Sequence, residues 1–479
     1  MKIKKILGIS LFLVSGVTLV ACNKTNSIET TNSTTTNSTT TTTNITTTTT
    51  TTTNTPVDYS TEINQTFGFS GETETTKFHF KDSYVSEEST KFNKDLALFS
   101  LGSALSTENR TITNKFYTDL GFDKIEYYGD SDTSDEGIGY SFAHKKIDNS
   151  DLVVISARGV GYSTEWKANF DIGITGNHKD FQKSADKIYN RLTTYLSNNK
   201  DTSTLKLLIT GYSRGAAVSN VLSHKLMTLD NKLTAESNLY SYTFATPRGV
   251  LKADNIDYKN VFNIINSADL VPYVAPDNYG FTRCGTDIDI YNEKADEILI
   301  SHNNKYVLPK FSKFPDVEKE TETTNFIINT LTKYYPSDDE NKKYSLNTRQ
   351  EFVERYQPAI SFVFDTFFTM KDSTKTKIKT TIQEIAEKNA FDLLPLIASG
   401  ENLYNFLKPF LEEDKGDAYS SIDAILLDSC NTFTNLIQNS GAPILILAMP
   451  QYSNSVIRTV YMHTSLVYNI LFDNYTYNV

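Results

Sequence analysis

The chain has 479 residues, 39% hydrophobic and 12% aromatic, which is enough apolar side chain for one large core or two ordinary ones. Its formal charge is −11, from 46 basic and 57 acidic residues, and no long basic run interrupts that balance. Phosphate backbones demand clustered Lys and Arg, so nucleic acid is excluded as an expected partner, and six scattered histidines without a close pair give no expected metal site.

At the N-terminus, Lys2, Lys4 and Lys5 precede an apolar stretch over 6–20, the pattern of a secretory signal rather than of a helix in the mature protein. Leu19, Val20, Ala21 and Cys22 resemble the lipobox of bacterial lipoproteins. Residues 1–22 are accordingly expected to be a signal segment, with Cys22 lipidated and holding the chain on the outer face of the cell membrane. Residues 23–58 are almost wholly Thr, Asn and Ser, too polar to offset their own ordering entropy, and read as a flexible tether. With Cys22 acylated, Cys284 and Cys430 remain; they either bridge or sit as two separate buried thiols.

Aromatic and apolar residues become frequent from 67 onward, and the stretch 67–308 reads as a core domain. An amphipathic helix is predicted over 93–105, and an apolar strand over 152–155 ends at Arg158 and Gly159. A helix follows over 181–196, a strand over 205–209, a helix over 213–227, and strands over 239–244 and 261–265. Continuous apolar strands alternating with helices predict an α/β fold, a mostly parallel sheet covered on both faces. The segments 281–291 and 297–300 are expected to form a hairpin at the sheet edge. Over 309–454 the pattern turns helical, at 326–335, 349–370, 375–388, 403–411 and 418–438, and reads as an insertion or cap. The apolar run 443–447 is read as core, pocket or lid. Residues 455–479 are expected to return to the core domain.

The strongest local signal is Gly211, Tyr212, Ser213, Arg214 and Gly215, between the 205–209 strand and the helix after it. A strand-to-helix turn this tight presents its Ser at the C-terminal edge of a sheet, and the glycines remove the clash at the bend. A serine hydroxyl is a weak nucleophile until a base takes its proton. Asp269, just past the 261–265 strand, is the candidate carboxylate. His79, His144 and His178 precede the serine and His224 lies on its own helix, which leaves His302 and His463; spacing alone does not choose between them. Donors for an oxyanion are expected from the backbone N–H of Arg214 and from the loop Arg158, Gly159, Val160 and Gly161.

Taken together, these motifs resemble the class 3 lipase family of α/β-hydrolases. The resemblance rests on Arg158 and Gly159, with Glu165, Trp166, Asn169 and Phe170 after them. It rests also on 209–217 around Ser213, on 242–247 ending in Pro247, and on 266–272 around Asp269. It implies Ser213 as nucleophile, Asp269 as acid, and a catalytic His near the domain's end with a Tyr shortly after, which selects His463 with Tyr468 over His302. It further implies an α/β-hydrolase fold, cleavage of carboxylic esters of lipids or smaller molecules, and no cofactor. Two departures stand out. Val160 replaces a common Thr or Ser, leaving only its backbone N–H for the oxyanion, and Tyr212 replaces a common His, which is expected to matter little. A catalytically silent surface-binding protein on this fold would carry a broken triad, and none is broken here. Amide and thioester hydrolysis use the same triad.

Overall fold

A computed structural model describes residues 59–67, 72–129, 137–159, 163–200, 204–252, 257–269, 271–273, 275, 279–302, 349–388, 396, 399–440 and 462–476. The expected signal segment, Cys22 and the tether lie outside these residues. So do Val160, the 326–335 helix and the 443–447 run.

The centre is a seven-stranded sheet. Its strands are β3 (Asp123–Tyr128), β4 (Tyr140–Ile147), β5 (Ser150–Ala157), β6 (Thr204–Tyr212), β7 (Leu239–Phe244), β9 (Val261–Ile265) and β11 (Thr286–Asp289), in the spatial order β11-β9-β7-β6-β5-β4-β3. All pairs from β11 to β5 are parallel, while the β5–β4 and β4–β3 pairs are antiparallel. Side chains alternate across a strand, and here they divide into two cores. Leu152, Val154, Leu208, Tyr240, Tyr242 and Ile264 enter one. Val153, Ile155, Leu207, Ile209, Leu239 and Val261 enter the other. Residues buried on both faces explain why these strands read as unbroken apolar runs.

Helix α1 (Lys94–Ser106) covers the first face through Leu96, Phe99 and Leu101, and α2 (Arg110–Asp119) adds Phe116 and Tyr117. A separate hairpin, β1 (Tyr59–Phe67) with β2 (Glu72–Phe80), closes the same core. Beyond β5 comes the short α3 (Ser163–Ala168). The second face is covered by α4 (Lys179–Asn199), through Phe181, Ile188 and Leu192, and by α5 (Arg214–Thr228), through Val218, Val221 and Leu222.

The expected edge hairpin does not form. Phe281–Thr282 instead makes a two-residue strand, β10, against β8 (Val250–Leu251), and β11 joins the main sheet parallel to β9. Residues Ala295–His302 are helix α6, since Ala295 and Leu299 bury one helical stripe, a spacing that no strand could satisfy on one face. Cys284 and Cys430 are unpaired and buried in different clusters.

The helical region begins at Arg349–Glu351, passes through a wide turn at Phe352–Tyr356, and continues as α7 (Gln357–Thr369), α8 (Asp372–Lys388), α9 (Gly400–Lys415) and α10 (Asp423–Ser440). It has its own cluster of Met370, Ile378, Ile382, Leu411, Leu426 and Cys430. Arg349 fastens it to the sheet domain. Its guanidinium donates to the carbonyls of Ile172 (2.8 Å), Gly173 (2.5 Å) and Gly176 (2.9 Å) and lies 4.2 Å from the ring of Phe281. The chain then returns to the first core with α11 (Ser465–Asp473), which buries Leu466, Val467, Tyr468, Ile470, Leu471 and Phe472.

Candidate active site

Ser213 lies between the last residue of β6 and the first of α5, with φ 56° and ψ −126°. A side chain at positive φ is strained, and the surrounding structure holds it there. Its N–H donates to Phe244 O at 2.9 Å, and its own carbonyl accepts from Ala216 N (2.9 Å) and Ala217 N (3.2 Å), so the turn is tied to β7 and to the helix. The flanking glycines are sterically required. A Cβ on Gly211 would stand 2.4 Å from Gly215 O, and one on Gly215 would stand 2.2 Å from Ala157 O. The loop leaving β5 runs beside Ser213, because a Cβ on Gly159 would lie 3.8 Å from Ser213 Cβ. The next residue, Val160, is outside the described set, so only Arg214 of the two expected oxyanion donors is placed, at the N-terminus of α5.

Asp269 follows β9 and is fully buried. Its Oδ1 accepts from Val271 N at 2.9 Å. Its Oδ2 accepts from His463 Nδ1 at 2.8 Å and from the Tyr468 hydroxyl at 2.8 Å. The other ring nitrogen of His463, Nε2, is 2.9 Å from Ser213 Oγ. A carboxylate only accepts, so Nδ1 carries the proton and Nε2 is left to accept from the serine hydroxyl. His463 is 24% exposed on its side chain, open enough to meet a substrate, while its carboxylate partner is sealed away. The structure thus brings together Ser213, Asp269 and His463. His302, the other histidine left open by spacing, ends α6 and pairs with Glu74 at 2.8 Å.

Three neighbours complete the arrangement. Asn266, between β9 and Asp269, donates from Nδ2 to Met462 O (3.2 Å) and from its backbone N–H to the Tyr468 hydroxyl oxygen (3.2 Å). Tyr468, on α11, has its phenol pushed well above the ordinary tyrosine range, first by burial and then by the Asp269 charge. Tyr212 also keeps its proton, for the same two reasons. Its hydroxyl donates to the His463 carbonyl, so the Tyr that stands in place of a common His makes a contact of its own to the histidine segment. Only the Gly-x-Ser-x-Gly pattern pointed at position 212; nothing in the sequence showed which carbonyl its hydroxyl meets.

A buried ion pair braces the end of β5. Arg158 Nη2 donates to Glu165 Oε1 at 2.8 Å, tying the end of β5 to α3. The Arg214 side chain turns away from the serine to Asp180 Oδ2, at 2.5 Å, locking the start of α5 to α4.

The family model for lipases of class 3 matches residues 154–279. The lipase of Rhizomucor miehei is 25% identical over 169 residues, which are 32% of this chain and 46% of that protein, so the chain spans about half the length of that relative. A solved structure described as a triacylglycerol lipase with a serine protease triad aligns over 43% of this chain and 83% of its own, at 19% identity and a TM-score of 0.35. The propeptide complex of the Rhizomucor miehei lipase aligns over 42% and 69%, at 21% identity and a TM-score of 0.34. The segment that matches the class 3 lipase model, 154–279, holds both Ser213 and Asp269.

Proposed function

We propose that this chain is a serine hydrolase that cleaves carboxylic esters, lipid esters among them, through an acyl-enzyme. The observation that carries the reading is the continuous relay from Ser213 Oγ through His463 to Asp269, at 2.9 Å and 2.8 Å. As Oγ attacks the ester carbonyl carbon, His463 Nε2 takes its proton, and Asp269 steadies the imidazolium through Nδ1–H. The carbonyl oxygen becomes an oxyanion, held by the backbone N–H groups of Arg214 and Val160. Collapse breaks the bond to the alcohol oxygen, which leaves with the proton from Nε2. Water then repeats the sequence on the acyl-Ser213, releasing the acid. We infer further that Cys22 carries the lipid anchor and that the protein works on the outer face of a cell membrane.

The test is a fluorophosphonate probe together with a series of esters graded by acyl length. Wild-type protein is expected to be labelled at Ser213. Ser213→Ala and His463→Ala are each expected to lose at least about 1,000-fold in turnover, and His302→Ala less than about twofold. Turnover by Ser213→Ala at the wild-type rate refutes the reading. Absence of both labelling and ester cleavage in the folded wild type favours a silent binding protein instead.

A further inference from the structure

We propose that Tyr212 is a positioning residue for His463, registering the base to the nucleophile through the backbone carbonyl of the histidine itself. The inference rests on the serine hydrolase reading above.

The base reaches the site on a chain segment 250 residues from Ser213 and 194 from Asp269. It is far from both partners along the chain, so its place depends on what grips its segment: Tyr468 on α11, which bonds Asp269, and the contacts to the His463 backbone itself. Two carbonyls flank the His463 Cα, those of Met462 and His463, and both are held. Asn266 Nδ2 donates to the Met462 carbonyl at 3.2 Å. The Tyr212 hydroxyl donates to the His463 carbonyl. The donors are not scattered over the fold. Tyr212 is the residue immediately before the nucleophile, and Asn266 opens the turn whose backbone bond runs from Asp269 N to Asn266 O, at 2.9 Å. Each triad partner therefore has a neighbour holding one side of the base.

The rings add to this. The centroid of Tyr212 is 5.5 Å from that of the His463 imidazole, and it meets Tyr468 edge-on at 5.6 Å and 83°. Tyr212 is thus wedged between the base and the tyrosine that bonds Asp269. An imidazole at 212 is shorter than a phenol and would leave the His463 carbonyl without this donor. Misplacement of a catalytic group by a fraction of an ångström already slows acyl transfer, because attack and proton transfer must be aligned together.

The experiment measures kcat, KM and the rate of fluorophosphonate inactivation on the full chain, for wild type, Ser213→Ala, Tyr212→Phe, Tyr212→His and Tyr240→Phe. Tyr240 is the control, since its buried hydroxyl also serves backbone carbonyls, those of Val85 (3.1 Å) and Glu87 (2.6 Å), and its strand position pairs with Leu208 rather than with the elbow. Tyr212→Phe is expected to lower kcat and the inactivation rate roughly tenfold while KM stays within about twofold. Tyr240→Phe is expected to lose thermal stability with kcat unchanged. Tyr212→His also removes the phenol donor while keeping a polar ring, and is expected to show the same split between kcat and KM. Wild-type kcat in either Tyr212 variant overturns the proposal, as does a fall in kcat that Tyr240→Phe reproduces. If wild-type protein is not labelled at Ser213, the hydrolase reading fails, and that failure is read independently of Tyr212.

Discussion

His178 sits at the entrance of α4 with its ring stacked on Phe181, 3.7 Å between centroids, and takes no part in the triad. Its Nε2 faces Asn169 O at 3.1 Å and its Nδ1 accepts from Phe181 N at 3.5 Å, an arrangement that suits a neutral ring with the proton on Nε2. Burial pulls its pKa from 6.5 down to about 3. The unfolded chain therefore binds a proton that the folded chain refuses between those two values. The resulting stabilisation is whole above pH 6.5 and is lost as pH falls toward 3. His178→Asn keeps a capping acceptor and cannot titrate. The variant is expected to show a shallower loss of melting temperature than wild type between pH 6.5 and about 4.5, above the range where carboxylates dominate. Parallel slopes for the two proteins would show that His178 contributes no pH dependence. At this same scale the sequence marked Ser213 and Asp269 by their places after strands, and resemblance selected His463. Asn266 and Tyr212 escaped it, because their role lies in contacts to residues 196 and 251 positions away along the chain.

Among the elements, the glycines at 211 and 215 and the buried Arg214 make the strand-to-helix turn a rigid unit. Such local chemistry reads directly from sequence, and the strands β5, β6, β7 and β9 were legible for a similar reason, since burial on both faces leaves mostly apolar side chains with few charges. The hairpin β1–β2 and the antiparallel strands β3 and β4 were not. In β4 buried His144 and Lys145 interrupt the apolar pattern, and in β1 exposed Glu62 and Asn64 alternate with buried Ile63 and Gln65. The join between the helical region and the sheet domain was equally invisible, because Arg349 recognises backbone carbonyls, which every sequence supplies. A planar guanidinium serves several carbonyls at once, and a lysine cannot reproduce that fork. Arg349→Ala is expected to cost roughly 2 kcal/mol or more of stability. It should also speed amide exchange over 172–178, and Arg349→Lys is expected to recover little of either. Unchanged exchange and melting in Arg349→Ala would show that the helical region is held by its other contacts, such as Lys167 to Asp365 at 2.6 Å.

For the molecule as a whole, the proposed anchor and the proposed active site lie at opposite ends of a polar stretch over 23–58. Cys22→Ala is expected to move the protein from the detergent-rich phase to the aqueous phase in a partition assay while ester turnover in solution stays within about twofold. Retention in the detergent phase, with no acyl group on native Cys22, would contradict lipidation. The long excursion between Asp269 and His463 costs the fold little, since closure entropy rises only with the logarithm of loop length. It has a consequence in time. The nucleophile elbow and its carboxylate are synthesised well before the base, which arrives only with the segment that carries α11. On the proposed mechanism, a nascent chain therefore holds Ser213 with no residue to take its proton until α11 seats in the first core. On that mechanism, any ester the growing polypeptide meets beforehand faces an incomplete site.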